Sequence, residues 1–369
     1  MSSYQIFKYG YLALFIVSIP LFFFAIRPDQ FSFYSLLSAL ALSMPSLLYL
    51  WIRVGFIDSK QFNYNGFYTS ASSYALILLF LVVSISLLSI DISSLRISRE
   101  VNRETTIFIR LINLHLVLFL FACVYHFSER NKNKRGAPLI LILCLLFSLF
   151  ISYMEGRRTA ILIPIILLGL FSVTSTSQKL PIKKVFSYIV LFITVFMTIT
   201  IVRTGGDIDL SIIFRAILSR LFNTGHMVLA VMEQGDFNFD PETIPNIIER
   251  LGYTFGLNSY SGNTHNFGVY YGFIRPGTPV GINPGMIVES FLAFGYFGFL
   301  MQILIIELTF VLIKLYKRIF FRADLFVILL ILHGMQMEIP YTFGVIGKLY
   351  VLGFIMDKLK YTFPSKKMT

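Results

Sequence analysis

The sequence predicts an all-α, polytopic integral membrane protein of about ten transmembrane helices with one large loop on the outer face, and three observations predict it. Hydrophobic residues make up 56% of the 369-residue chain and charged residues 14%, with a mean hydropathy of +0.75, a balance foreign to soluble globular domains. Apolar runs of about 17 to 25 residues recur from end to end, each long enough to cross a hydrocarbon core of roughly 30 Å as a helix. The alternating pattern of a membrane β-barrel is absent from the sequence.

The spans fall near residues 9–26, 33–52, 72–90, 111–127, 138–154, 159–174, 185–202, 285–313, 324–338 and 342–357. The first has only Lys8 ahead of it, lacks a small-residue cleavage site and is followed at once by a second span, so it reads as a retained helix and not a signal peptide. Cys123 and Cys144 both lie inside apolar spans, where a free thiol behaves as a small hydrophobe. They indicate neither a disulfide framework nor a metal site. The net charge of +12 arises from short basic clusters between spans, which membrane topology explains without nucleic acid. With the N-terminus inside, the segments on that side hold 18 basic residues and the opposite segments 12, so the positive-inside rule predicts that both termini are cytoplasmic.

This organisation divides one membrane domain into residues 1–202 with seven helices, a large outer loop at 203–283, and residues 284–369 with three helices and a cytoplasmic tail. The loop contains five Arg, no Lys and seven carboxylates. Connections of this length are usually functional or disordered, and this one holds too many aromatics, Leu and Ile for disorder, so it is expected to fold against the membrane surface. Within it Leu210, Ile213, Phe214, Ile217 and Leu221 share one helical face, with Arg215, Ser219 and His226 on another. The polar face is either solvated or lines a site.

The outer face collects arginine: Arg157 and Arg158 in the turn between spans five and six, Arg203 at the exit of span seven, then Arg215, Arg220, Arg250 and Arg275. Guanidinium is always charged and binds phosphate through a planar fork, so these positions point to a phosphate-bearing lipid. Glu155, Asp207, Glu242 and Glu249 are available to pair with some of them. Candidate acids or bases on the same side are His226, His265, Glu289 and Glu338. His265 sits in a polar, glycine-bounded stretch from Ser261 to Gly268, not on an apolar stripe. Glu289 lies one turn into span eight, where an ionisable group is costly unless it is paired or faces a cavity; it serves either the chemistry or the dipole at a helix N-terminus. Lys348 in the last span is a further intramembrane charge whose role the sequence leaves open.

Asp207-Ile208-Asp209 has the form that holds a metal for nucleotide-sugar enzymes, yet it falls outside, away from nucleotide sugars, and reads as the cap of the following helix. Ser259-Tyr260-Ser261-Gly262 lacks the glycine spacing of an intramembrane serine protease. No HExxH, CxxC, GxxxxGK or GxGxxG occurs. No metal, nucleotide or other cofactor is expected.

Three pieces of the chain resemble a known family. Tyr153-Met-Glu-Gly-Arg-Arg-Thr-Ala160 opens a span with an arginine-bearing turn, Arg203-Thr-Gly-Gly206 starts the large loop, and Asn283-Pro-Gly-Met-Ile-Val-Glu-Ser-Phe-Leu-Ala-Phe-Gly-Tyr-Phe-Gly298 leaves it through a glutamate and an FGxxG helix. These are similar to segments of bacterial oligosaccharide repeat-unit polymerases, the Wzy-type O-antigen polymerases. The resemblance implies a GT-C-like fold in the bacterial inner membrane with a periplasmic loop. It also implies an enzyme that transfers a growing chain from undecaprenyl pyrophosphate to the sugar of an incoming lipid-linked unit, working beside a flippase and a chain-length regulator. On this view Arg157 or Arg158, Arg203, Arg215, Arg220 and Arg275 hold pyrophosphate and sugar, and His265 or Glu289 deprotonates the attacking hydroxyl. Arg157 or Arg158, Arg203 and Glu289 match family positions by local pattern; the others rest on location and chemistry. An O-antigen ligase would share the loop, the arginines and the donor, whereas a flippase would be expected to show internal repeats, broken helices and short loops.

Overall fold

The computed structural model describes residues 2–26, 31–58, 114–127, 136–154, 158–175, the single positions 187, 190, 194 and 197, and residues 223–234, 243–254, 285–319 and 322–362. The regular elements in these stretches are all helices. They are α1 (Ser3–Tyr11), α2 (Ser18–Leu21), α3 (Phe33–Asp58), α4 (Leu114–Phe127), α5 (Gly136–Met154), α6 (Arg158–Ser175), α7 (Asn223–Gln234), α8 (Thr243–Thr254), α9 (Met286–Phe294), α10 (Gly298–Ile319), α11 (Ala323–Met337) and α12 (Ile339–Thr362). Four helical stretches are long and apolar enough to cross a membrane: Ser3–Phe24, Phe33–Ile57, Met286–Ile319 and Ile339–Lys358. Three shorter apolar helices accompany them at Pro138–Leu149, Ile163–Ser172 and Ala323–Met337. The chain is thus a multi-pass helical membrane protein. The span expected at 72–90 and most of that at 185–202 lie outside the described residues.

Two compact units emerge, one of Met1–Asn63, Asp209–Ile313 and Leu330–Leu349, the other of Tyr64–Ile208, Lys314–Leu329 and Tyr350–Thr369. In the first unit the chain starts with a capping box, Ser2 Oγ accepting from Gln5 N–H and Gln5 Oε1 from Ser2 N–H, an arrangement that satisfies orphan donors of the first turn. Beyond α1 the helix loosens into π turns at Leu12–Val17 and Phe22–Ile26 on either side of α2. Tyr4 and Phe7 meet Phe310 of α10 edge-on, at 5.3 and 5.9 Å, and the Tyr11 hydroxyl reaches Gln302 at 3.3 Å. Rising numbers on α1 therefore meet falling numbers on α10, and the two are antiparallel. On α3, Ser46 lies 2.9 Å from the same Tyr11 hydroxyl, while Arg53 grips both oxygens of Glu307 at 2.8 and 3.1 Å. Helices α3 and α10 thus run in the same direction.

The stretch expected as one continuous span at 285–313 is interrupted. Gly295 takes φ +54, a 3-10 turn covers Gly295–Phe297, and α10 begins at Gly298. In a straight helix Ser290 and Gln302 would stand roughly 18 Å apart along the axis, yet Gln302 Nε2 donates to Ser290 Oγ at 3.0 Å. The chain therefore folds sharply at Gly295. A straight Met286–Ile319 rod would be roughly 51 Å long, well beyond a roughly 30 Å core; the bend leaves α10 as the crossing element and α9 as a short helix turned against it. Gly298 makes this possible, because a Cβ there would sit 2.6 Å from the Ser290 carbonyl oxygen.

Helix α7 packs across the ends of the first two spanning helices, on the side away from the N-terminus. Its Gly225 lies against the backbone of Ser18, where a Cβ would come within 2.3 Å of the carbonyl oxygen. In the second unit α4, α5 and α6 pack together, with Leu116 through Val124 of α4 all buried and Phe127 stacked on Phe171 at 5.9 Å. Cys123 and Cys144 are buried free thiols. Leu139, Ile142, Leu143 and Leu146 form an exposed apolar stripe on α5 at helical spacing, the surface a helix offers to lipid.

Gly225→Ala is expected to destabilise the protein by about 1–3 kcal/mol, the usual result of forcing a methyl into a packed contact. Gly55→Ala on α3, where nothing lies within 4 Å of the added carbon, is expected to leave stability unchanged or slightly raised. Thermal unfolding of the two variants in detergent compares them directly.

Candidate functional site

The site is built where α8, α9 and the turn from α11 to α12 come together. Gly285, at φ +80, opens α9 with its N–H donating to the Met337 carbonyl at 3.0 Å and its own carbonyl accepting from Glu289 N–H at 3.1 Å. That positive φ is glycine territory, and it joins the start of α9 to the end of α11. Glu289 follows in the first turn of α9, buried, as an acidic group near a helix N-terminus should be placed.

Arg250 reaches this point from α8. Ile248 and Glu249 are exposed there, but Arg250 lies on the opposite side and is buried. Its Nη2 donates to Glu289 Oε1, and its Nη1 donates to Glu338 Oε2 at 2.9 Å. The other Glu289 oxygen accepts from Ile339 N–H, the first amide of α12, at 2.5 Å. The side chains of Arg250 and Glu289 are 8% and 4% exposed, and that of Glu338 is 15% exposed. Glu289 is therefore clamped from both sides by a guanidinium and a helix N-terminus, while Glu338 stands closer to the rim.

Immediately beside Glu289, Ser290 Oγ joins a buried polar chain: Ser290 accepts from Gln302, whose Oε1 accepts from the Tyr11 hydroxyl, which in turn pairs with Ser46. Hydrogen-bonded polar side chains of this kind join helices within lipid. Next to Gly285 the Thr224 hydroxyl of α7 is 2% exposed and has no hydrogen-bond partner among the described residues; its oxygen lies 3.9 Å from where a Gly285 Cβ would be.

A carboxylate of α7 acts at the start of α3. Glu233 accepts from Ser32 N–H and Ser32 Oγ, each at 2.8 Å, and from Ser35 Oγ. The Ser35 hydroxyl, followed by the Ser32 backbone N–H, holds this carboxyl below its ordinary value.

Of the residues expected to bind or react, Glu289 is brought into the cluster. Arg158 opens α6. Arg157, Arg203, Arg215, Arg220, His265 and Arg275 lie outside the described residues. His226 stacks on Phe22 with ring centroids 4.3 Å apart and meets Phe31 edge-on at 5.9 Å, so its ring packs α7 against the first helices. Lys348 is half-buried on α12. Arg250, counted above only as one more loop arginine, joins Glu289 and Glu338. The signal was present: on α8 Arg250 sits one helical turn from Ile247, and a guanidinium on a buried face demands a counter-charge. Among the described residues no group of three His, Cys, Asp or Glu side chains is placed to hold a metal ion. Comparisons with family models, curated proteins and solved structures find no match to this chain.

Arg250→Met removes the shared cation and leaves two carboxylates buried together, so it is expected to cost about 3–5 kcal/mol, read as a lowered unfolding temperature in detergent. For Glu233 the sign follows from its depressed pKa: its contribution is present above the ordinary carboxyl value of 4.5 and fades as pH falls through the lower value of the folded protein. The stability deficit of Glu233→Gln relative to the unaltered protein is thus expected at neutral pH and should vanish in strongly acidic buffer. A deficit that is constant with pH would show that ionisation of Glu233 plays no part.

Proposed function

We propose that this protein polymerises oligosaccharide repeat units carried on undecaprenyl pyrophosphate, transferring the growing chain to the sugar of an incoming lipid-linked unit on the periplasmic face of a bacterial inner membrane. In this reading the chain has about ten spans, a GT-C-like architecture and both termini in the cytoplasm, and it works alongside a flippase and a chain-length regulator. The observation that carries the reading is the stretch ending at Gly298, the segment most similar to the polymerases. Its Glu289 is drawn into a buried charge cluster by an arginine of the long loop, and its FGxxG element forms a closed corner.

The remaining outer arginines suit the leaving group. A lipid pyrophosphate departs with its negative charge, and fixed guanidiniums lower the barrier by stabilising that charge as it develops. Arg157, Arg158, Arg203, Arg215, Arg220 and Arg275 fill this role in the proposal, with His265 and Glu289 at the reacting hydroxyl. Deletion of the gene is expected to abolish the long surface-polysaccharide ladder while a single core-linked repeat survives. Loss of every repeat would identify a ligase instead, and accumulation of lipid-linked units on the cytoplasmic side a flippase. Restoration of the ladder by Arg215→Lys and Arg275→Lys as fully as by the unaltered gene would remove those two residues from pyrophosphate binding, since only guanidinium offers the two-point fork.

A further inference from the structure

We propose that Lys8 and Trp51 form a site at the lipid-facing surface of α3 for the headgroup phosphate of an anionic phospholipid. Lys8 lies on α1 and is 8% exposed. Its Nζ rests over the indole of Trp51, 3.9 Å from the ring centroid, and over the ring of Tyr9 at 5.0 Å. Both rings are about half exposed. Among the described residues these rings are the only electrostatic partners of the ammonium, and no hydrogen bond or ion pair engages it. Three N–H donors thus stand without an acceptor on a side chain almost withdrawn from water. A cation so placed in a membrane helix is costly unless an anion joins it. The carboxylate that α10 brings to this part of α3 is already engaged: Glu307 accepts from the Arg53 fork at 2.8 and 3.1 Å and from the Tyr49 hydroxyl at 2.5 Å.

The position suits a headgroup. Lys8 lies roughly 8 Å from the start of α1 and Trp51 roughly 10 Å from the end of α3, and because the two helices are antiparallel these ends fall on the same side. The spans of 22 and 25 residues to which they belong slightly exceed what a roughly 30 Å core requires. Lys8 is therefore within reach of the interface for a long side chain, at the level where Trp and Tyr collect. Met44, Leu48, Trp51 and Ile52 are all exposed on one side of α3, an apolar track for an acyl chain that leads up to the indole. One turn beyond Trp51, nothing lies within 4 Å of where a Gly55 Cβ would be, so the surface is open on the side from which a headgroup approaches.

Charge selects the class of lipid. A zwitterionic headgroup carries a cation of its own beside its phosphate, and Lys8 repels it. A headgroup with net negative charge complements a lone ammonium. The aromatic faces hold Nζ in place, and the phosphate oxygens accept from the donors that the rings leave unused. Arg53 adds no surplus charge, since Glu307 offsets its own.

Trp51 is the single tryptophan of the chain, so its emission reports on this site alone. The full chain is placed in phosphatidylcholine vesicles containing a minor fraction of lipid with brominated acyl chains, either phosphatidylglycerol or phosphatidylcholine, and contact quenching of Trp51 is compared. Stronger quenching by the brominated phosphatidylglycerol is expected, corresponding to about a fivefold preference, the increment one basic residue gives at an anionic surface. Lys8→Gln is expected to abolish the preference and Lys8→Arg to keep it, while Lys366→Gln, which removes one charge from the C-terminal tail, leaves it unchanged. Added salt is expected to weaken the preference in the unaltered protein, a measurement that needs no variant to fold. Equal quenching by the two lipids, or a preference indifferent to salt, overturns the anionic site at Trp51. A preference that survives Lys8→Gln, or that Lys366→Gln lowers as much, overturns it as well and shows a diffuse attraction of lipid to a basic chain.

Discussion

A guanidinium placed between two carboxylates away from water is the contact on which one end of the first unit depends. Taking such ions out of water costs several kcal/mol each, and their attraction recovers that only with good geometry and further hydrogen bonds on the remaining atoms. Here Ile339 N–H completes Glu289, and Gly285 ties the start of α9 to the end of α11 through Met337. Three elements separated in sequence, α8, α9 and the α11–α12 turn, are consequently fixed by one shared charge. Replacing the cluster with apolar side chains could match it in stability. It could not reproduce the orientation of two carboxylates toward one point.

The neighbouring polar chain extends that fixation into the helices. Ser290 follows Glu289 directly, and through Gln302 and Tyr11 it is linked to Ser46. Every member is completely or nearly completely buried, so each hydrogen bond lost would leave a polar atom in an apolar setting. Movement of Glu289 along α9 would therefore be felt at α10, α1 and α3. The corner at Gly295 is stiff for the same reason: Gly298 rests on the backbone of Ser290, and Gln302 closes the contact from the other arm.

Much of the helical layout was legible because membrane solvent imposes a simple rule, a long apolar run for each crossing. The runs at 9–26, 33–52 and 342–357 have counterparts among the long helices, and those at 138–154 and 324–338 among the shorter apolar ones. The break in the run at 285–313 was not foreseen, although the glycines at 295 and 298 were read there as a family motif. Hydropathy is blind to a bend whose two arms are equally apolar, and only φ at Gly295 and the Ser290–Gln302 bond reveal it. Glu289 was legible as an expensive charge in need of a partner. Arg250 was not identified as that partner because pairing across distant segments is a tertiary fact, and nearer carboxylates such as Glu249 compete for it on paper. His226 was read by its helical face as a polar group, whereas its ring packs on Phe22, the amphipathic use of an aromatic side chain that periodicity cannot distinguish.

A broken helix beside a buried charge cluster is also a feature of transporters, where half-helices move about the break to expose a site to either side. The nature of this break weighs against that use. A hinge for alternating access must open at modest cost, but here opening would separate Gln302 from Ser290 and lift Gly298 from the backbone it touches. Both buried polar groups would lose a partner, each at a cost of roughly 1–3 kcal/mol. A rigid corner is instead what a catalytic centre asks for, since a carboxylate assists proton transfer only while it is held within hydrogen-bonding reach of the reacting hydroxyl. The same glycine pair that bends the helix thus suits the proposed polymerase better than a transporter, by the tightness with which the bend is closed.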